Sequence, residues 1–342
     1  MRVLYTRLNS SRSIFRLLAL PWLLAMMAPL ALAKAPYEIS LPDLEARYAD
    51  AASRFTTVDG VRVHYKDEGT GPIVVMVHAS FLNLHSWDAL AAELARTHRV
   101  VRLDLLSAGL TGPDPNGRYS IERNIELLEG LLQQLQITRY ALIATSSGGI
   151  VAFRHAARRP EAVERLVLIN SAGMPRSTAT DPNRPRGSSL MRWIRAHYRS
   201  RGYWENNLQS QFTGGSQPAA DFVTRTYDMN RRAGLVEEAN IFLKNFRTGD
   251  PQAELAKVRA PTMIAWGMGN ITVVHLEADV FQHWLTQAPS LIVKYPKLGH
   301  YLYVEEPARV ARDIEDFLQG KRDAELRVTQ RVIPVCVSAC TP

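Results

Sequence analysis

Six short apolar runs separated by helix-patterned segments constrain this chain more than any other feature. They read IVVMVH (73–78), RVVRLD (99–104), YALIAT (140–145), RLVLIN (165–170), TMIAWG (262–267) and LIVKYP (291–296). Strands apolar at nearly every position belong to a sheet covered on both faces, and such sheets are mostly parallel. The segments between them, among them WDALAAELARTH, SIERNIELLEGLLQQLQ, GGIVAFRHAARRP and PARVARDIEDFLQ, carry the helical period. The expected class is α/β, a mostly parallel central sheet flanked by helices. Ahead of the first run, Asp59-Gly60 sits between two β-rich stretches and predicts a hairpin.

The rhythm breaks once. Residues 171–258 are too many for an ordinary crossover and read as a helical insertion, or cap, dividing the core into parts 54–170 and 259–320. Its aromatics, Trp193, Tyr198, Tyr203, Trp204, Phe212, Phe222, Tyr227, Phe242 and Phe246, fit either a small core of its own or the wall of a pocket.

The ends of the chain read differently. Residues 1–33 have four Arg and no acid, then the run LLALPWLLAMMAPL, then Ala31-Leu32-Ala33. A basic region, an apolar core and a small-x-small site make a signal peptide, and Pro21 and Pro29 argue against an uncleaved anchor. The mature protein is therefore expected in the periplasm or the medium, without stable membrane insertion. Its formal net charge falls from +8 to about +4 once those four Arg are gone. No dense basic patch interleaved with aromatics remains to suggest nucleic acid. Residues 34–53 read as a linker and short amphipathic helix, and 321–342 as a tail holding Cys336 and Cys340, either a short-loop disulfide or two incidental thiols. There is no cofactor motif, no metal-ligand spacing, and nothing that sets an oligomeric state.

The chemistry begins at YALIATSSGGIVAFRHAA, a strand turning sharply into a helix. A nucleophile elbow needs small residues two before and two after the nucleophile. Ser146 has Ala144 and Gly148 there, whereas Ser147 would have the β-branched Thr145. The competing reading is an ordinary Ser cap of the helix.

With its surroundings, this A-x-S-x-G resembles the elbow of the α/β-hydrolase fold family, in particular its esterase-like members with a helical cap. HASFLNLHSW resembles the family's oxyanion loop, LDLLSAGLTG its D-x-x-G-x-G segment, PTMIAWGMGN its acid turn and YPKLGHYLYVEEP its histidine loop. The resemblance spans about Phe55 to Leu318. It implies Ser146 as nucleophile, His300 as general base, the backbone N–H groups of Ser80 and Ser147 as oxyanion hole, and Asn270 at the acid position. It also implies a small-molecule acyl substrate. His78, Asp104 and Glu305 match scaffold positions, while His85 and the Ser147 side chain are weaker pocket candidates.

Departures from the family pattern are informative. Ala79, Ser107 and Ala144 replace glycines and are tolerable where φ is negative. Asn270 replaces a carboxylate and brings no charge to the imidazolium formed in acyl transfer, and its NH₂ can favour the wrong tautomer of the histidine. The alternative acid position is also an amide, Asn170; Glu277 and Asp279 follow the turn. Three readings stay open: an exported serine hydrolase acting on a carboxylic ester, a same-fold lyase or cofactor-independent oxygenase using His300 without an acyl-enzyme, and a non-catalytic binding protein. Dehalogenase and epoxide-hydrolase chemistry need a carboxylate where Ser146 stands.

Overall fold

The computed structural model describes residues 38–174 and 198–328. The expected signal segment, Trp193 and the two cysteines lie outside the described residues. The six apolar runs and the two strands of the hairpin form one eight-stranded sheet in the order β1-β2-β4-β3-β5-β6-β7-β8. Its strands are β1 (Ser53–Val58), β2 (Val61–Glu68), β3 (Ile73–Val77), β4 (Arg99–Leu103), β5 (Tyr140–Thr145), β6 (Val163–Ile169), β7 (Thr262–Gly267) and β8 (Ser290–Tyr295). The β1–β2 and β2–β4 pairs are antiparallel, and every other pair is parallel. The hairpin closes through Asp59 and Gly60, both at positive φ (44° and 81°), the conformation of a two-residue turn that matches strand twist.

Continuous apolar strands arise because alternate side chains serve two different cores. On β3, Val75 and Val77 enter one cluster while Val74 and Met76 enter the other. On β7 the same alternation separates Ile264 and Trp266 from Met263 and Ala265. Helices α3 (Ile121–Gln134) and α4 (Ser147–Arg158) cover the first core with Leu128, Leu131, Ile150 and Phe153. Helices α2 (Asp88–Leu94) and α11 (Pro307–Leu318) cover the second with Leu90, Leu94, Val310, Ile314 and Phe317. Each such buried side chain favours the fold by roughly 1.5–3 kcal/mol before entropy is counted.

Between β6 and β7 the described residues include helices α5 (Arg201–Gln209), α6 (Ala220–Met229), α7 (Leu235–Asn245) and α8 (Pro251–Leu255). The N-terminal helix α1 (Leu41–Tyr48) is more than a linker: Ile39 and Leu44 share a small core with Leu110 and with Met229 of α6. Nor does packing end at residue 320, because Ser290 and Arg327 exchange backbone hydrogen bonds at 2.8 Å beside β8. Helices α9 (Leu276–Trp284) and α10 (Leu302–Glu305) complete the elements used below.

One buried carboxylate organises the loops at the end of β4. Asp104 accepts from the backbone N–H groups of Leu84 and Leu110, at 2.7 and 2.8 Å, and meets His64 Nδ1 at 2.7 Å. Gly109, at φ 50°, lies so close that a Cβ would come within 2.0 Å of that carboxylate. Burial disfavours the charge of Asp104, but the hydrogen bond and electrostatic attraction of His64, with the Leu84 N–H, outweigh it, holding the carboxyl down to about 2.

With its folded pKa below the unfolded value of 3.8, Asp104 stabilises the protein fully above about pH 4 and progressively less as pH falls toward 2. Its share is about 2 kcal/mol. A series of thermal melts against pH should fall through this window, and Asp104→Asn should show a lower melting temperature at neutral pH and a shallower acid decline. Equal slopes for the two proteins would disprove the assignment.

Candidate active site

Ser146 stands at the junction of β5 and α4 with φ 51° and ψ −126°. This is sparsely populated backbone for a residue with a Cβ, a strain found where surrounding structure imposes it. The turn is imposed by close approach: a Cβ on Gly148 would stand 2.4 Å from the His78 carbonyl oxygen and 2.8 Å from that of Val77. Ser146 occupies the N-cap position, yet its side chain makes no capping hydrogen bond. The ordinary-cap reading of this serine is thereby removed, and its hydroxyl is left for other work.

His300 and Asn270 come together from the loops after β8 and β7. His300 Nδ1 lies 3.1 Å from Asn270 Oδ1, and both residues are buried. The same Oδ1 accepts from the backbone N–H groups of Thr272 and Val273, at 2.9 and 3.2 Å. Two obligatory donors identify this atom as the oxygen, so His300 Nδ1 must carry the proton. Nε2 is then the basic nitrogen, the tautomer a general base requires. The wrong-tautomer concern raised by the sequence does not apply here. Asn270 Nδ2, by contrast, is buried with no hydrogen-bond partner among the described residues.

Asn170, the alternative acid position, has a different task. Its Nδ2 donates to the carbonyl oxygens of Gly299 and His300, at 3.0 and 2.8 Å, while its Oδ1 accepts from the Gly267 N–H at 2.9 Å. Ser146 N–H donates to the neighbouring Ile169 carbonyl at 3.1 Å, so Ser146 and His300 hang from one corner of the sheet. Asp279 is exposed and pairs with Lys294 at 3.2 Å, which spends its charge there. Glu277 is half-buried on the first turn of α9, but Asn270 already holds the Nδ1 side of His300.

The scaffold candidates are where their chemistry suggests. His78 donates from Nδ1 to the Ala79 carbonyl at 2.8 Å and accepts the Leu105 N–H on Nε2 at 3.0 Å, and burial pushes its pKa down. Glu305 accepts from the N–H groups of Gly299 and Thr213, at 2.7 and 3.0 Å, and thus joins the histidine loop to the insertion. His85 is buried and meets Asp88 through Nδ1 at 3.2 Å, while its Nε2 has no hydrogen-bond partner among the described residues.

Ser107 stands at φ 59°, so the condition under which a serine is tolerable there is not met, and it carries left-handed backbone strain where the family pattern has glycine. Ala79 and Ala144 are absent from the positive-φ residues. The Ser80 backbone N–H, expected in the oxyanion hole, donates to Ser147 Oγ at 2.7 Å.

Several supporting contacts were not assigned from the sequence. The Gln211 carbonyl accepts the His300 N–H at 2.7 Å, and Phe212 and Phe222 meet Tyr301 edge to face at centroid separations of 6.3 and 6.5 Å. Tyr301 in turn lies edge-on to the His300 ring at 4.9 Å. The insertion thus buttresses the histidine. Among the described residues no group of three or more His, Cys, Asp or Glu could hold a metal ion.

The family model described as alpha/beta hydrolase fold matches residues 72–307, and the chain belongs to that family. It is 26% identical over 288 residues to cis-3-alkyl-4-alkyloxetan-2-one decarboxylase of Shewanella oneidensis, covering 77% of this chain and 87% of that protein. It is 25% identical over 285 residues to 2-hydroxy-6-oxo-2,4-heptadienoate hydrolase of Pseudomonas putida, covering 78% and 96% respectively. Among solved structures, a bacterial membrane phospholipase A described as a virulence factor aligns with a TM-score of 0.65 at 24% identity, over 90% of this chain and 99% of that one.

Asn270→Asp tests the site directly. An aspartate would keep the Thr272, Val273 and His300 contacts and put its second oxygen where the unpartnered Nδ2 now lies. In trypsin the opposite change, triad Asp to Asn, lowers kcat by about 10⁴, a loss that includes a wrong histidine tautomer. Because His300 already holds the useful tautomer, the gain here should be smaller, roughly 10- to 100-fold in kcat. Steady-state kinetics on one ester with both proteins measures it, and a gain near 10⁴ or none at all would contradict this reading of the amide.

Proposed function

We propose that this chain is an exported serine hydrolase that cleaves a carboxylic ester or related acyl substrate through a Ser146 acyl-enzyme. The observation that carries the proposal is the His300 Nδ1 seated on Asn270 Oδ1, in a site whose other expected member, Ser146, is strained and uncapped. In this reading His300 Nε2 takes the Ser146 proton as Oγ attacks the acyl carbon, and the same imidazolium returns the proton to the departing alcohol. Water then attacks the acyl-enzyme by the reverse use of His300. The neutral Asn270 orients the base without stabilising its charge, so turnover is slow beside a carboxylate-supported site. The hydrolase named above among the relatives supports hydrolysis, though its name specifies no ester bond.

A same-fold reaction without an acyl-enzyme is the second reading. It is favoured by the uncharged Asn270, which suits a histidine used as a base without a long-lived imidazolium partner, and by the decarboxylase among the relatives. Export rests on the N-terminal pattern of residues 1–33.

A fluorophosphonate probe should label wild type and leave Ser146→Ala unlabelled, with the adduct found on Ser146 by peptide mass spectrometry. Short acyl esters should be hydrolysed in the same preparation. Absence of labelling in folded protein would remove the serine-hydrolase reading, and labelling without turnover of a broad ester panel would favour the second one. For location, N-terminal sequencing of protein recovered from outside the cytoplasm should begin at Lys34. Recovery of the full-length chain in the cytoplasm would contradict export.

A further inference from the structure

Ser80 and Ser147 are joined twice, and counting their hydrogens gives a result that neither residue suggests alone. The Ser80 backbone N–H donates to Ser147 Oγ at 2.7 Å, and the two hydroxyl oxygens lie 2.7 Å apart. Three hydrogens are available: one amide hydrogen and two hydroxyl hydrogens. The amide hydrogen lies on Ser147 Oγ and one hydroxyl hydrogen lies between the oxygens. One hydroxyl hydrogen is left over, whichever serine donates to the other. Ser80 is exposed and Ser147 half-buried, so the leftover donor has an open side to face. Ser147 directly follows Ser146 and starts helix α4, where its own N–H has no partner within the helix.

We propose that the acyl oxygen receives its second hydrogen bond from a hydroxyl of the Ser80–Ser147 pair, with the Ser80 amide acting through Ser147 Oγ and not by direct contact. This rests on the serine-hydrolase reading above. An oxyanion donor must lie about 2.7–3.1 Å from the oxygen it stabilises, and the Ser80 N–H is already committed at that distance to another oxygen. A hydroxyl that accepts a hydrogen bond is polarised and donates more strongly, so the amide strengthens the donor it has been replaced by.

The step balances within the site. As Ser146 Oγ bonds to the acyl carbon, its proton passes to His300 Nε2 and the carbonyl π pair moves onto the acyl oxygen. That oxygen accepts from Ser147 N–H and from the spare hydroxyl. When the pair returns to re-form the carbonyl, the bond to the alcohol breaks and the alcohol leaves with the proton from His300. No co-reactant is consumed.

The test compares wild type, Ser147→Ala, Ser147→Thr and Ser80→Ala by steady-state hydrolysis of a short acyl ester and by rate of fluorophosphonate labelling. Loss of one oxyanion donor typically lowers kcat by about 10²–10³. Ser147→Ala should lower it roughly 10- to 100-fold, because the freed Ser80 amide makes up part of the loss, with KM little changed. Ser147→Thr keeps the hydroxyl and should retain most activity. Ser80→Ala should lose less than Ser147→Ala, since its amide still reaches Ser147 Oγ. A Ser147→Ala enzyme as fast as wild type or faster would overturn the proposal, because the hydroxyl would then only have blocked the amide. Failure of Thr to restore activity would overturn it as well. Wild type that is neither labelled nor active would bring down the serine-hydrolase reading and this inference with it, an outcome distinct from labelled wild type with an unimpaired Ser147→Ala.

Discussion

The buried amide of Asn170 is the interaction on which the candidate site depends. It receives the Gly267 N–H at the end of β7 and gives both its hydrogens to the carbonyls of Gly299 and His300, after β8. Backbone groups at buried loop corners must find partners or cost stability. One side chain here satisfies three of them at once and in doing so fixes where the histidine loop meets the sheet. A carboxylate at residue 170 would have no hydrogens for the two carbonyls, so an acid at this position would be incompatible with the corner as built. The amide at 170 is therefore architecture, whatever the chemistry of the site.

Asn270 meets the histidine through an uncharged amide oxygen. Two backbone N–H groups fix which end of its side chain is oxygen, and that oxygen fixes the tautomer of His300. Orientation of the ring is thus supplied by local turn geometry, and no negative charge comes with it. The two contributions usually arrive together on one aspartate. Here they are separated, and the separation leaves a mark in the form of a buried Nδ2 without a partner among the described residues.

Much of the fold was legible because strand periodicity and burial are local consequences of residue type. The runs at 73–78, 99–104, 140–145 and 262–267 became strands within a residue or so of their expected limits, and Asp59-Gly60 became the hairpin turn. The site was legible in part. Small residues around Ser146 announced the elbow, because close backbone approach excludes larger ones. Gln211, Tyr301 and the Ser80–Ser147 contact were not announced, because each depends on which loops meet in space. The φ of Ser107 was not legible for a related reason: it is set by the loop around Asp104, not by the residue's own preference.

By itself the sequence determined the order of strands and helices, the position of the sharp turn at Ser146 and the absence of charge at residue 270, since these follow from side-chain chemistry and spacing. Only the tertiary structure decided what the two amides do. Asn170 and Asn270 are the same residue type at the ends of neighbouring strands, yet one clamps three backbone groups and the other seats the histidine. The difference lies in which donors and acceptors surround each side chain once β6, β7 and β8 lie side by side.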